Sequence, residues 1–174
     1  LNSDVIISDK RCQVALSSVR EEFCSFADPR ANILGWRCYD FKEEFVKESR
    51  GFEEFETNRI MSLIPETGIE LIPEKSYILE LNFEKINGVD FKKGCYIGQE
   101  VTARMKHKAT LKNKLYCGHI PTNPENKDDK RIYSNGRVVG DIYSIFNNYC
   151  LIKIKEDFKE DKLTVFGEPL VLVN

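Results

Sequence analysis

After Lys114 the apolar residues recur at every second position, in short runs separated by turn residues. The runs are Lys114 to Ile120, Arg131 to Tyr133, Arg137 to Phe146, Tyr149 to Lys155, Leu163 to Phe166 and Leu170 to Val173. In Tyr149 to Lys155, Ile152 and Ile154 alternate with Lys153 and Lys155, which predicts one buried and one wet face. Asn135-Gly136 and Asn147-Asn148 predict hairpin turns, because these residues adopt positive φ at little cost. So many strands in about sixty residues imply a small antiparallel barrel or sandwich, with the polar run Pro121 to Lys130 as a surface loop.

Upstream the pattern is mixed. Val5 to Ile7 and Cys12 to Val14 suit strands, and Leu16 to Phe23 suits a short helix or a further strand. Asp28-Pro29-Arg30 predicts a turn into a strand over Ala31 to Tyr39, since proline fixes its own φ and biases Asp28 away from helix; Trp36 is read as a packing residue. Asp40 to Ser49 reads as a helix with Asp40 as N-cap, and Phe52 to Leu63 as a second helix ended by Pro65. Glu43, Glu44, Glu48, Glu53, Glu54 and Glu56 are expected to form a solvated face. Ile64 to Pro73 is a structured connection, Ser76 to Phe83 a short helix capped by Ser76, and Asn87-Gly88 a turn.

Composition limits the function classes. The net charge of −2 conceals 26 basic and 28 acidic residues, so any preference for anions must come from local clustering. No apolar run approaches the roughly 20 residues that span a bilayer, so no membrane role is expected. The six cysteines include no C-x-x-C pair, which argues against a zinc ribbon, a thioredoxin motif or a cysteine-ligated cluster. Reduced thiols in the cytosol or an organelle matrix are the expectation. His107 and His119 have no carboxylate or cysteine at ligand spacing, so no metal site is expected. The start at Leu1, without an initiator Met or a signal-peptide pattern, is expected to mark a fragment or a processed product.

Chemistry concentrates in Lys92-Lys93-Gly94-Cys95-Tyr96-Ile97-Gly98-Gln99-Glu100-Val101-Thr102-Ala103-Arg104. A helix opening at Gly98-Gln99-Glu100 places Ile97, Val101 and Met105 on one apolar face and pairs Glu100 with Arg104. Cys95 then precedes a helix N-terminus with Lys92 and Lys93 beside it, a setting that favours thiolate and marks a reactive or ligating cysteine. A buried cysteine in a tight loop is the other reading, and residue chemistry alone leaves both open. For Cys12, Cys24, Cys38, Cys117 and Cys150 the buried reading is preferred. Arg104, Lys106, His107, Lys108, Lys112 and Lys114 form a basic cluster, read as a solvated face; without interleaved aromatics or a recognised module it does not point to nucleic acid.

Lys93-Gly94-Cys95-Tyr96-Ile97-Gly98-Gln99-Glu100, with Ala103-Arg104, resembles the signature of the folate-binding YgfZ family, a group of the glycine-cleavage T-protein superfamily related to a mitochondrial iron–sulfur assembly factor. Asp28-Pro29-Arg30 with Leu34-Gly35-Trp36, Arg59-Ile60 with Ile64-Pro65-Glu66, and Leu71-Ile72-Pro73-Glu74 stand in the order that family shows. The resemblance implies an α+β fold: residues 1–110 as part of a central α+β domain carrying the motif, and 111–174 as a small antiparallel C-terminal barrel. It implies further chain upstream, including much of the folate-pocket wall, with Arg59 and the central loop lining what remains.

The function implied is that of a tetrahydrofolate-linked accessory protein in assembly or repair of iron–sulfur proteins. Cys95 would be the functional thiol, with Lys93, Gly94, Tyr96, Gly98, Gln99, Glu100 and Arg104 shaping its loop. Iron–sulfur client or assembly proteins would be the partners, in the cytoplasm or alternatively the mitochondrial matrix. Two other readings stay open: a folate-dependent aminomethyltransferase-like enzyme, and a non-catalytic domain that docks a partner through the barrel or the basic cluster.

Overall fold

The computed structural model describes residues 13–17, 20, 25–40, 51–95, 98–108, 111–122, 124 and 127–173. The strand expected at Val5 to Ile7 and the helix expected after Asp40 lie outside these residues, as do Cys12 and Cys24. Strands β1 (Gln13–Ser17), β2 (Ser25–Ala27) and β3 (Trp36–Asp40) form an antiparallel sheet in the order β1-β3-β2, with Asp40 as the last strand residue. Ala31 to Leu34, expected to be strand, instead leads through a single 3-10 turn at Asn32–Leu34. Gly35 breaks that turn at φ 73°, a value that favours glycine, and β3 follows.

Asp28 anchors this corner. Its carboxylate, 2% exposed, takes hydrogen bonds from Arg30 Nε and Nη2 at 2.9 and 2.8 Å and from Arg37 Nε at 2.9 Å. Burial alone would raise the carboxyl pKa, but the Arg30 hydrogen bonds and the Arg30 and Arg37 charges outweigh it and hold it below the usual value. A group depressed in this way stabilises the fold above its unfolded pKa of about 3.9 and loses that contribution as pH falls through the folded value. Asp28→Asn is therefore expected to cost about 1.5–3 kcal/mol at pH 7, the range for hydrogen bonds to charged groups, with the difference from the parent shrinking in acid. Urea midpoints measured from pH 7 to pH 2 check this, and a difference independent of pH counts against it.

Helix α1 (Phe52–Met61) forms where the sequence predicts but stops short of Leu63, with Glu53 and Glu54 in its first turn and Arg59 in its last, each charge placed to suit the helix dipole; Glu56, expected on the solvated face, is buried against Arg59. Ser76 to Phe83 is not a helix. The chain runs there through successive turns, with Asn82 and Asn87 at φ 67° and 60°. Ser76 does not cap: its hydroxyl accepts from Ile72 N–H and donates to Glu70 C=O, tying the connection to itself. Helix α2 (Gln99–Lys108) comes next.

The last third is a closed barrel. Strands β4 (Asn113–His119), β5 (Arg131–Ser134), β6 (Arg137–Phe146), β7 (Tyr149–Lys155), β8 (Leu163–Val165) and β9 (Glu168–Val173) follow each other in the order β4-β7-β6-β5-β8-β9, and β9 returns to β4. Closure leaves no unpaired strand edge. The Asn-Gly and Asn-Asn hairpins have the required geometry, with φ 49° and 75° at Asn135 and Gly136 and 47° and 66° at Asn147 and Asn148. Phe166, expected in a strand, is a turn residue with φ 55°, followed by Gly167 at φ 80°. Ile132, Val139, Ile142, Ile152, Ile154 and Val165 fill the interior, each no more than 2% exposed.

A second core lies outside the barrel wall, where Ile60 of α1 and Leu81 pack on Leu115, Cys117 and Leu151. This explains a departure from simple alternation: β7 is wet at Lys155, but at Leu151 both of its faces are covered. Lys153, between these two positions, is half-buried.

Candidate functional site

The loop before α2 is set by Asp90. Its carboxylate accepts from Lys92 N–H at 2.8 Å, and its carbonyl accepts from Lys93 N–H at 3.4 Å. The chain emerges at Gly94 and Cys95, both exposed, with Lys92 and Lys93 exposed just before them. Tyr96 and Ile97 lie outside the described residues. Gly98 has φ 88°, a left-handed conformation that side chains disfavour, and α2 starts at the next residue. Cys95 therefore stands a few residues before a helix N-terminus, as the sequence predicts, and it is exposed rather than buried in a tight loop.

Three other cysteines contrast with it. Cys38, Cys117 and Cys150 are buried. Burial pushes the Cys150 thiol up to about 12, with Cys117 adding to the effect, and raises Cys117 in turn. Such thiols are poor nucleophiles at neutral pH. Among the described cysteines, Cys95 alone is open to a partner.

In α2, Arg104 donates to Glu100 at 2.6 Å, the expected i,i+4 pair, with both side chains largely exposed. Val101, expected on a buried face, is 56% exposed, and the neighbouring Thr102 is the buried residue. Helix α2 thus sits rotated from the orientation that its apolar residues suggest. The basic cluster is dispersed and partly neutralised: Lys106 pairs with Glu84, Lys114 with Glu156, and His107 lies edge-on to the Phe91 ring at 6.4 Å. His119, by contrast, stacks at a tilt on Tyr149 with centroids 5.2 Å apart. A groove of about 450 Å³ runs beside the loop, lined by Glu84, Asn87, Val89, Asp90, Phe91, Lys92 and Lys93.

Arg59 stands apart from this loop, at the junction of α1 with the barrel. It is 1% exposed. Its Nε and Nη2 donate to Glu56 at 3.0 and 2.9 Å, Nη1 donates to Ile64 C=O at 2.8 Å and Glu70 at 3.4 Å, and Nη2 also reaches Ser144 Oγ at 3.0 Å. Every N–H of the guanidinium has an acceptor within the chain. Burial alone would lower its pKa, but the hydrogen bonds to Glu56 and the charges of Glu70, Glu56 and Glu66 raise it above the ordinary value. Ser144 Oγ–H in turn donates to Glu70, which is fully buried.

Sequence reading missed Glu70 and Ser144 in this cluster. The Glu56–Arg59 spacing of three on a helix was a usable signal; nothing local marks a contact 74 residues away in the chain.

No family model matches the chain. Among curated proteins it is 37% identical over 93 residues to "Iron-sulfur cluster assembly factor IBA57, mitochondrial" of Mus musculus, covering 51% of this chain and 26% of that protein. The Homo sapiens protein of the same name is 31% identical over 121 residues, covering 65% of this chain and 34% of that one. "tRNA-modifying protein YgfZ" of Colwellia psychrerythraea is 36% identical over 80 residues, covering 42% of this chain and 25% of that one. The chain thus spans between 25% and 34% of the length of these relatives. The homologues of the chain, IBA57 iron–sulfur assembly factors and a YgfZ protein, belong to the folate-binding YgfZ and T-protein-like family.

Proposed function

We propose that the chain takes part in the assembly or repair of iron–sulfur proteins and that Cys95 is its functional thiol. The observation that carries this reading is the exposure of Cys95 at the head of α2, while Cys38, Cys117 and Cys150 are buried. The names of the IBA57 relatives support the process and favour a mitochondrial location over the cytoplasm. Iron–sulfur client or assembly proteins are the partners in this reading. Residues up to 110 would form part of a central domain, and residues from 111 its C-terminal barrel.

Lys93, Gly94, Gly98, Gln99, Glu100 and Arg104 would shape the thiol loop: Gly98 supplies the left-handed turn and the Glu100–Arg104 pair supports the first turn of α2. Tetrahydrofolate enters through the family. Arg59 does not fit the ligand role, as its N–H groups are all engaged within the chain. The groove beside the loop does offer fitting chemistry: the Phe91 ring for a planar pterin, and the Lys92 and Lys93 ammonium groups for the glutamate carboxylates. Bound there, the folate would supply one-carbon chemistry, and these residues would hold and orient it.

The test is complementation. In cells lacking the native protein, Cys95→Ala is expected to leave the activity of an iron–sulfur enzyme at the depleted level, while urea unfolding matches the parent because the side chain is exposed. Full rescue by Cys95→Ala removes the thiol role.

A further inference from the structure

Few side chains hold α2 to the rest of the molecule. Among its described side chains only Thr102 is buried. At the far end of the helix, Lys106 Nζ donates to both oxygens of Glu84 at 2.6 and 2.7 Å and lies 5.3 Å from the centre of the Phe91 ring, whose other neighbour is His107. The Lys106 and Glu84 side chains are 40% and 47% exposed, so water and salt weaken their attraction. A helix of 10 residues has little stability of its own and depends on such contacts.

Glu84 also has a particular position. It lines the groove of about 450 Å³ beside Lys92 and Lys93 and a second groove of about 250 Å³ lined by Leu79, Met105, Lys106, Leu111 and Lys114. The Lys106–Glu84 pair therefore stands at the boundary of the two. Gly98, at the head of the helix, has open space around it: a Cβ built there would meet nothing within 4 Å.

We infer that α2 is a latched arm. It undocks as a unit when Lys106 and Glu84 part, and the groove that Met105 and Lys106 help to line then opens onto the groove beside Lys92 and Lys93. The barrel and α1, held by their own buried cores, stay folded through this opening. The latch is electrostatic, so salt favours the open form. This inference does not depend on the proposed function, because its readout is backbone protection.

Amide hydrogen exchange on the full chain, read residue by residue, tests it. The amides of Thr102 to His107 are expected to exchange far faster than those of β7. Glu84→Gln and Lys106→Met are each expected to raise α2 exchange a further 2- to 5-fold, or about as much as an exposed ion pair contributes, with β7 unchanged. The double variant is expected to do no more than either single one. Protection of α2 equal to that of β7 overturns the inference. So does unchanged α2 exchange in both variants, or a parallel rise in α2 and β7, which would mean global unfolding.

Discussion

Replacing Arg59 by methionine lowers the unfolding free energy by about 3–5 kcal/mol, the range for breaking a buried ion pair from one side. The size follows from what remains. Glu70 is fully buried and Glu56 is 8% exposed, and both lose the cation that faces them when the guanidinium is gone. Ile64 C=O and Ser144 Oγ lose a donor as well. With total stability of order 5–15 kcal/mol for a folded domain, this is a large fraction.

Arg59→Lys recovers only part of it, because one ammonium cannot serve acceptors spread around a planar fork. Replacing Arg59, Glu56 and Glu70 together with apolar residues of similar volume recovers more, since the one carboxylate left without its partner, Glu66, is half exposed to water. Urea unfolding followed by circular dichroism gives all three values, and a loss under about 1 kcal/mol for Arg59→Met would show the pair to be as weak as a surface one.

The same cluster shows how far residue patterns reach. Period-two runs and the Asn135-Gly136 and Asn147-Asn148 turns were legible because strand pairing and positive φ each leave a local mark. The turn at Phe166 was not, since a bulky aromatic at φ 55° is an uncommon choice and Gly167 after it was the only hint. Ser76 to Phe83 has helix-like spacing of apolar residues, yet Asn82 at φ 67° interrupts it, and Leu79 and Leu81 are buried by tertiary packing instead.

The site divides the same way. Cys95 and the Glu100–Arg104 pair follow from spacing alone, because a helix fixes them locally. The rotation that buries Thr102 and exposes Val101 does not, because it depends on Glu84 and Phe91 meeting Lys106 from another segment. Ser144 is the extreme case. The register between β6 and β7 shifts between Ile142 and Ile145, so Ser144 sits in an irregular stretch where a bulge re-aims side chains, and it reaches Glu70 across the barrel wall.

Gly140→Ala is the sharpest steric test of that wall. Gly140 lies in β6 opposite Ile154 of β7. A Cβ there would stand 2.1 Å from Lys153 C=O, 2.7 Å from Ile154 Cγ2 and 2.8 Å from Ile154 Cα. A flexible side chain could turn away, but two of these atoms are backbone and Ile154 is fully buried in the barrel core. The strands must separate, and separation loosens the β6–β7 ladder that also carries Ile142, Ile152 and the bulge at Ser144. The expected loss is at or above the upper end of the range for overpacking, about 3 kcal/mol, although a single methyl is added. Because the clash is with β7 rather than with α1, amide protection is expected to fall across the barrel while the Arg59 cluster keeps its contacts to Glu56 and Ile64 on the helix side. Gly136→Ala provides the contrast: nothing lies within 4 Å of its added Cβ, and its cost is that of placing a side chain at φ 75° in a turn, about 1 kcal/mol. Equal urea midpoints for the two variants would mean that β6 and β7 yield at Gly140 without resistance.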